Sequence, residues 1–394
     1  MKIKLLLWLT ALYLPFSAIC QDSTNRPLMV QTIGKLPYLE YGVGDDRLGG
    51  AKMTYLDSGI IMRVVDSATD DYKVQLSKSH SAYIAKESVK KLTDKLPRPY
   101  YLTSSWRVYG NDTTNADYVT INLDERLPYR SIQQINPSRI VIDIFGATSN
   151  TNWISQFNNL KEIKNTWYEQ TEDDVMRVFI ELKHSQHWGY NIAYDTLGAK
   201  LIIRVKRQPQ VPALNKLRIA IDAGHGGENA GASGVTSGIK EKDYTLKIAT
   251  QLEALLKKAK VKTFMTRTND TTLGMPDRIE MLKAWNPDLL ISIHLNSSGN
   301  AYIKGVSTYY RYIGFRSLSQ AVLKRMLELK LVEIGNVGSF NFALSGPIDY
   351  PNCLVEVAFL SNKDDEKKIL DPKFRAATAK KIFDGITDWL KTIK

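Results

Sequence analysis

The stretch Leu217-Arg-Ile-Ala-Ile-Asp-Ala223-Gly-His225-Gly-Gly227 decides how this chain is read. A short apolar run of this kind is a buried strand, and it breaks on a histidine set between glycines. Glycine on both sides lets the backbone turn sharply and leaves the imidazole open to a ligand. A glycine-rich turn after a strand also suits phosphate, but that reading expects a helix to open at once, with a Lys-Ser/Thr pair. Here Gly231, Gly234 and Gly238 prolong a loop instead.

Two further runs have the same form. Asp288-Leu-Leu-Ile-Ser-Ile-His294-Leu-Asn296 is a second apolar strand ending on a histidine, and in Leu354-Val-Glu356-Val-Ala-Phe-Leu360 a carboxylate interrupts a run expected to be apolar. In parallel α/β sheets ligands gather beyond the carboxyl ends of the strands. A buried carboxylate without a partner is costly, so Glu356 needs a partner or a task. Glu241 follows the glycine-rich loop and, taken alone, reads as an exposed acidic residue near a helix start. Around these runs, strands at 261–267, 305–312 and 353–360 alternate with helices at 244–260, 277–285, 318–330 and 374–392. Residues 213–394 are therefore expected to form one α/β domain, its mixed or parallel sheet flanked by helices.

Two histidines and a carboxylate bind Zn²⁺ and leave a fourth position for water. The metal lowers the pKa of water and polarises a carbonyl, while a second, non-ligating carboxylate accepts the water proton. His225, Glu241, His294 and Glu356 fill these roles, and the block holds no other histidine.

Outward from this block lie two regions of strand-like alternation. Residues 28–96 carry short runs such as Gly59–Val65 and Tyr72–Leu76 between turn-rich segments, the pattern of a small all-β unit. Pro97-Arg-Pro99 marks a break, and residues 100–207 show period-two runs at 118–123, 139–145, 176–182 and 201–205, expected as a β-sandwich. Gln208-Pro-Gln-Val-Pro212 links it to the last block. His80 reads as a solvated turn residue, and His184 and His187 sit in a polar turn with no third ligand nearby. The frequent Trp and Tyr side chains of the second region are expected mostly in its core, although sugars also stack on exposed aromatic faces.

Residues 1–20, MKIKLLLWLTALYLPFSAIC, have the basic start, apolar run and short tail of a secretory signal peptide. The apolar run is well short of the ~20 residues that span a bilayer, so no transmembrane anchor is expected. Cleavage is expected near Cys20–Gln21, with acylation of Cys20 the alternative. Its removal takes two of 53 basic residues and none of the 41 acidic ones, leaving a net charge of +10 and Cys353 as the one thiol. The product would be periplasmic, secreted or wall-associated, without an intrachain disulfide. Its charge favours an anionic partner, with nucleic acid resting on charge alone.

Taken together, Ala223-Gly-His-Gly-Gly227, Gly231-Ala, Lys240-Glu-Lys242, Thr266-Arg267, Arg278, Ser292-Ile-His294-Leu-Asn296 and Leu354–Asn362 resemble the zinc-dependent N-acetylmuramoyl-L-alanine amidases. The resemblance runs over about 217–392. It implies zinc at His225, Glu241 and His294, with Glu356 catalytic and Asn296 a candidate substrate contact. It also implies hydrolysis of the amide between the lactyl group of N-acetylmuramic acid and L-Ala of the stem peptide, in wall remodelling or daughter-cell separation. Residues 135–144 resemble the central strand of the AMIN domain, and 28–96 resemble the bacterial Src-homology-3-like barrels attached to wall enzymes.

The family's Asp after His-Gly-Gly is Asn229 here, and Phe342-Ala-Leu-Ser345 stands where relatives often carry an Arg. About ten residues separate His294 from Gly305, too few for the helical plug that some cell-separation amidases carry. An activator protein remains compatible with this sequence, and peptidoglycan is the expected partner. A peptidase acting within the stem would use the same ligands, and an inactive wall-binding protein is the alternative from another class.

Overall fold

The computed structural model describes residues 27–44 and 50–393; the expected signal segment and Cys20 lie outside them. Among the described residues no helix is long and apolar enough to cross a membrane.

The first unit is a seven-stranded sheet of short antiparallel strands between Met29 and Leu92. The second pairs two sheets face to face. One has four strands, with Ser138–Phe145 and Val175–Leu182 at its centre; the other has six, with Ala116–Leu123 and Lys200–Lys206 at its centre. One continuous apolar cluster runs through both units, from Val30 and Ile60 to Trp106, Ile142 and Ile203. The expected sandwich is thus present, and Trp106 and Trp188 are buried while Trp153 faces solvent.

His80 is not in open solvent. Its Nε2 lies 2.6 Å from Glu172 Oε1 and its ring packs on Phe145, so it joins the first unit to the second. His184 Nδ1 meets Glu162 Oε2 at 2.8 Å. His187 is buried, donating from Nε2 to Gln134 O at 2.9 Å. Burial pushes its pKa down to about 4, so the unfolded chain takes up a proton between about pH 6.5 and 4 that the folded chain refuses. Stability therefore falls as pH drops through that window, by about 3 kcal/mol for this one group. In His187→Gln, which keeps a donor for Gln134, denaturant melts at pH 7 and pH 4.5 should differ by less than in the parent; an equal difference refutes the assignment.

The third unit is one six-stranded sheet in the order Lys262–Met265, Arg218–Ala223, Leu289–Asn296, Asn352–Phe359, Val306–Tyr309, Glu333–Val337. Pairing is parallel except between Val306–Tyr309 and Asn352–Phe359. The helices are α1 (Glu241–Lys258), α2 (Met275–Trp285), α3 (Arg316–Met326), α4 (Lys363–Leu370) and α5 (Pro372–Thr392). Asn362 and Asp371 cap α4 and α5 by accepting from backbone N–H groups one turn in.

Side chains alternate between the faces of a strand. Ile219, Ile221, Leu289, Ile291, Ile293, Val306, Val355 and Val357 point to one face, where α1, α3 and α5 cover them. Ala220 and Leu290 point to the other, under α2, Leu344 and Tyr350. Continuing that alternation places His294, Glu356, Ser307 and Tyr309 on the α2 face, beyond the edge that α2 covers.

Candidate metal centre

Three elements converge at the carboxyl edge of the sheet. His225 stands in the turn after the Arg218–Ala223 strand, His294 near the end of its neighbour, and Glu241 at the first position of α1. One donor atom from each lies within 4.8 Å of the other two. His225 Nε2 is 3.1 Å and His294 Nδ1 3.0 Å from the same Glu241 oxygen, Oε1. Glu241 is buried, not exposed as its place at a helix start suggests; its oxygens also accept from Leu295 N at 2.9 Å and Ala232 N at 2.8 Å.

The glycines shape this cluster. A Cβ on Gly224 would stand 2.4 Å from the His294 ring, and one on Gly231, whose φ is +68°, 2.4 Å from Glu241 Oε2. Segment 230–232 can therefore pass behind the carboxylate, and the imidazole can lie flat against the turn.

His225 holds a left-handed backbone, φ +62°, which costs a β-carbon residue free energy unless its surroundings impose it. Arg278 donates to His225 O at 2.6 Å, and His225 Nδ1 donates to Asn229 Oδ1 at 2.8 Å. The second contact fixes the orientation of the ring and directs Nε2 at Glu241, as a partner behind a metal-ligating imidazole does. Asn229, noted in the sequence only as a departure within the loop, thus orients a cluster residue.

Beneath the turn lies a buried charge network. Asp222 accepts from Arg278 at 2.6 Å and from the hydroxyls of Thr266 and Ser292 at 2.7 Å each. Burial pushes the Asp222 carboxyl up, but the Arg278 charge and these bonds outweigh it and hold it below the usual carboxylate range. Arg267 donates to Ala223 O, Gly224 O and Lys242 O, tying the turn to the start of α1. Glu366 of α4 accepts from Thr236 N, Ser237 N and Ser237 Oγ, pinning the glycine-rich loop from the far side; no sequence signal marked it.

Electrostatically the cluster is arranged around one anion. Burial opposes charge on both Glu241 and His294. Hydrogen bonds between the Glu241 carboxylate and the two imidazoles overcome that opposition, holding Glu241 well below its ordinary range and pushing His294 up to about 9. Two imidazoles and a carboxylate brought together, with one ring held from behind, suit a borderline cation such as Zn²⁺.

Glu356 stands one strand over, directly beside His294 in the parallel register and across from Ser307 in the antiparallel one. It is buried and is not one of the three clustered groups. Asn296 ends the His294 strand, in register with Phe359 of the neighbouring strand. The segment 297–305 between the two strands folds as turns and bends, with no helix.

Two parts of the chain match families of known proteins. The N-acetylmuramoyl-L-alanine amidase family matches residues 219–388, and the AMIN domain family matches 107–208. The probable cell wall amidase LytH of Staphylococcus epidermidis is 33% identical over 175 residues, 44% of this chain and 58% of that protein. The N-acetylmuramoyl-L-alanine amidase AmiC of Escherichia coli O6:H1 is 24% identical over 355 residues, 68% of this chain and 85% of AmiC. The catalytic domain of CwlV, an amidase from Bacillus (Paenibacillus) polymyxa, is 32% identical and superposes with a TM-score of 0.43 over 44% of this chain and 98% of that structure. The chain spans only 58% of the LytH relative's length. It belongs to the N-acetylmuramoyl-L-alanine amidase family, with an AMIN domain preceding the amidase block.

Proposed function

We propose that this chain is an exported, zinc-dependent N-acetylmuramoyl-L-alanine amidase of peptidoglycan, in which His225, Glu241 and His294 hold the metal and Glu356 moves the proton. The observation that carries this reading is the meeting of three donors from separate elements, with a further carboxylate one strand away. When bound, the ion supplies Lewis acidity, polarising the amide carbonyl and making water a better nucleophile at neutral pH.

The chain's own residues do the rest. Glu356 takes the proton that the attacking water sheds and passes it to the departing amine of L-Ala. Asn229 and Arg278 keep His225 in one orientation, and the backbone N–H groups of Leu295 and Ala232 keep Glu241 ionised and in place. Asn296 is a hydrogen-bonding group at the same edge for the substrate. The net positive charge draws the enzyme to a wall rich in stem-peptide carboxylates, and the units before residue 213 hold the wall or position the enzyme on it.

The test is digestion of purified peptidoglycan by the zinc-loaded full-length protein, with products read by mass spectrometry. Free stem peptides beginning with L-Ala beside intact glycan, lost on chelation and restored by zinc, are expected. Shortened stems still attached to muramic acid would make it a stem peptidase instead. Unchanged peptidoglycan would favour a wall-binding protein without activity.

A further inference from the structure

Across the sheet, the site residues follow one another in a fixed lateral order: His225, His294, Glu356, then Ser307 and Tyr309. If the carbonyl to be cut lies at the His-Glu-His cluster and Glu356 hands its proton to the departing amine, the leaving peptide extends toward Ser307 and Tyr309. That side of the cleft is aromatic. The Tyr309 ring packs edge-on against Phe340 and Phe342, with centroids 4.7 and 5.3 Å away, and those two rings lie 4.5 Å apart. The Tyr309 hydroxyl is 3.3 Å from Ser307 Oγ.

Phe340 and Phe342 belong to no strand or helix, and what holds them comes from the other end of the chain. Asn341, between them, accepts from Lys52 N at 3.1 Å and donates to Gly50 O at 2.7 Å, so its side-chain amide pairs with the first unit's backbone as a neighbouring strand would. Arg311 donates to Lys52 O and to Asn341 Oδ1, and Tyr55 OH donates to Ala343 O at 3.3 Å. Leu36 and Tyr55 of the first unit also pack on the apolar cluster that holds Leu344.

We propose that Asn341 is a positioning residue: through it the first β unit holds the Phe340–Phe342 wall against Tyr309, and this wall receives the stem peptide on the leaving-amine side of the cleft. The assignment rests on the amidase reading. It makes the first unit part of the substrate site as well as a unit that positions the enzyme on the wall.

The test uses the zinc-loaded full-length chain and a soluble disaccharide–tetrapeptide. Asn341→Ala is expected to raise KM by roughly tenfold, the loss of about two hydrogen bonds at the wall, and to keep kcat within about twofold. Asn341→Asp keeps an acceptor for Lys52 N and Arg311, and its KM should fall between those of the parent and Asn341→Ala. Amide exchange, which needs no activity, should quicken in 338–346 of Asn341→Ala and stay unchanged in α1 and around Glu356. Unchanged KM, a loss confined to kcat, or unchanged exchange in 338–346 overturns the proposal. A parent that releases no peptide while exchange still quickens overturns it from the other side, by removing the amidase reading beneath it.

Discussion

Replacing Glu356 with Gln is expected to lower kcat by about 10²–10⁴-fold, the range for losing a positioned acid–base group, while zinc content stays at one ion per chain. The substitution preserves the shape of the side chain and removes its ability to carry a proton. Glu356 stands beside the His-Glu-His cluster and is not among its members, so the metal should be indifferent to the change. Metal analysis and single-turnover digestion of a soluble muropeptide together decide the matter. Loss of zinc would make Glu356 a ligand and return Glu241 to question; retained turnover would require another proton carrier.

The second large effect is structural. Arg278 and Asp222 are each about 1% exposed and pair at 2.6 Å. Arg278→Met fills the same space but strands the Asp222 carboxylate in the sheet, where breaking a buried pair from one side costs about 3–5 kcal/mol. It also removes the donor to His225 O, so the left-handed turn loses one of its restraints. Denaturant unfolding should show that loss, and zinc affinity should fall with it. Adding Asp222→Asn should recover most of the stability, because no unpaired charge then remains, and little of the zinc affinity. Recovery of both would mean that Arg278 serves only to neutralise Asp222.

The legible parts of the site share a physical cause. Strands 218–223, 289–296 and 352–359 are largely apolar runs that carry or end near a conspicuous polar residue, and a run of that kind is visible in one sequence. Glu241 was not legible in that way, because an acidic residue at a helix start is ordinary; the family resemblance, not its local pattern, singled it out. The Glu333–Val337 strand and α4 were missed for the opposite reason. One is an edge strand containing Gly335 and Asn336, and the other is six-eighths charged, so neither shows a clear apolar period. Asn229, Glu366 and Asn341 could not be read at all. Each is an ordinary polar residue in a loop or helix, and the last two act on chain 129 to 291 residues away. His80 reads as a turn residue because Glu172 and Phe145, which cover it, belong to the second unit, and His187 because its partner Gln134 lies 53 residues away in sequence.

The apolar cluster that passes without interruption from the first unit into the AMIN block has an evolutionary corollary. Modules joined by flexible linkers can be exchanged between proteins like cassettes, since each keeps its own core. Here an incoming replacement for residues 28–96 would have to match the sandwich beneath it and the loop carrying Asn341 at the same time. Substitutions on the two sides of those seams are therefore constrained to change together, and chimaeras cut at Pro97–Pro99 should inherit the seam mismatch as a defect in folding before any defect in chemistry.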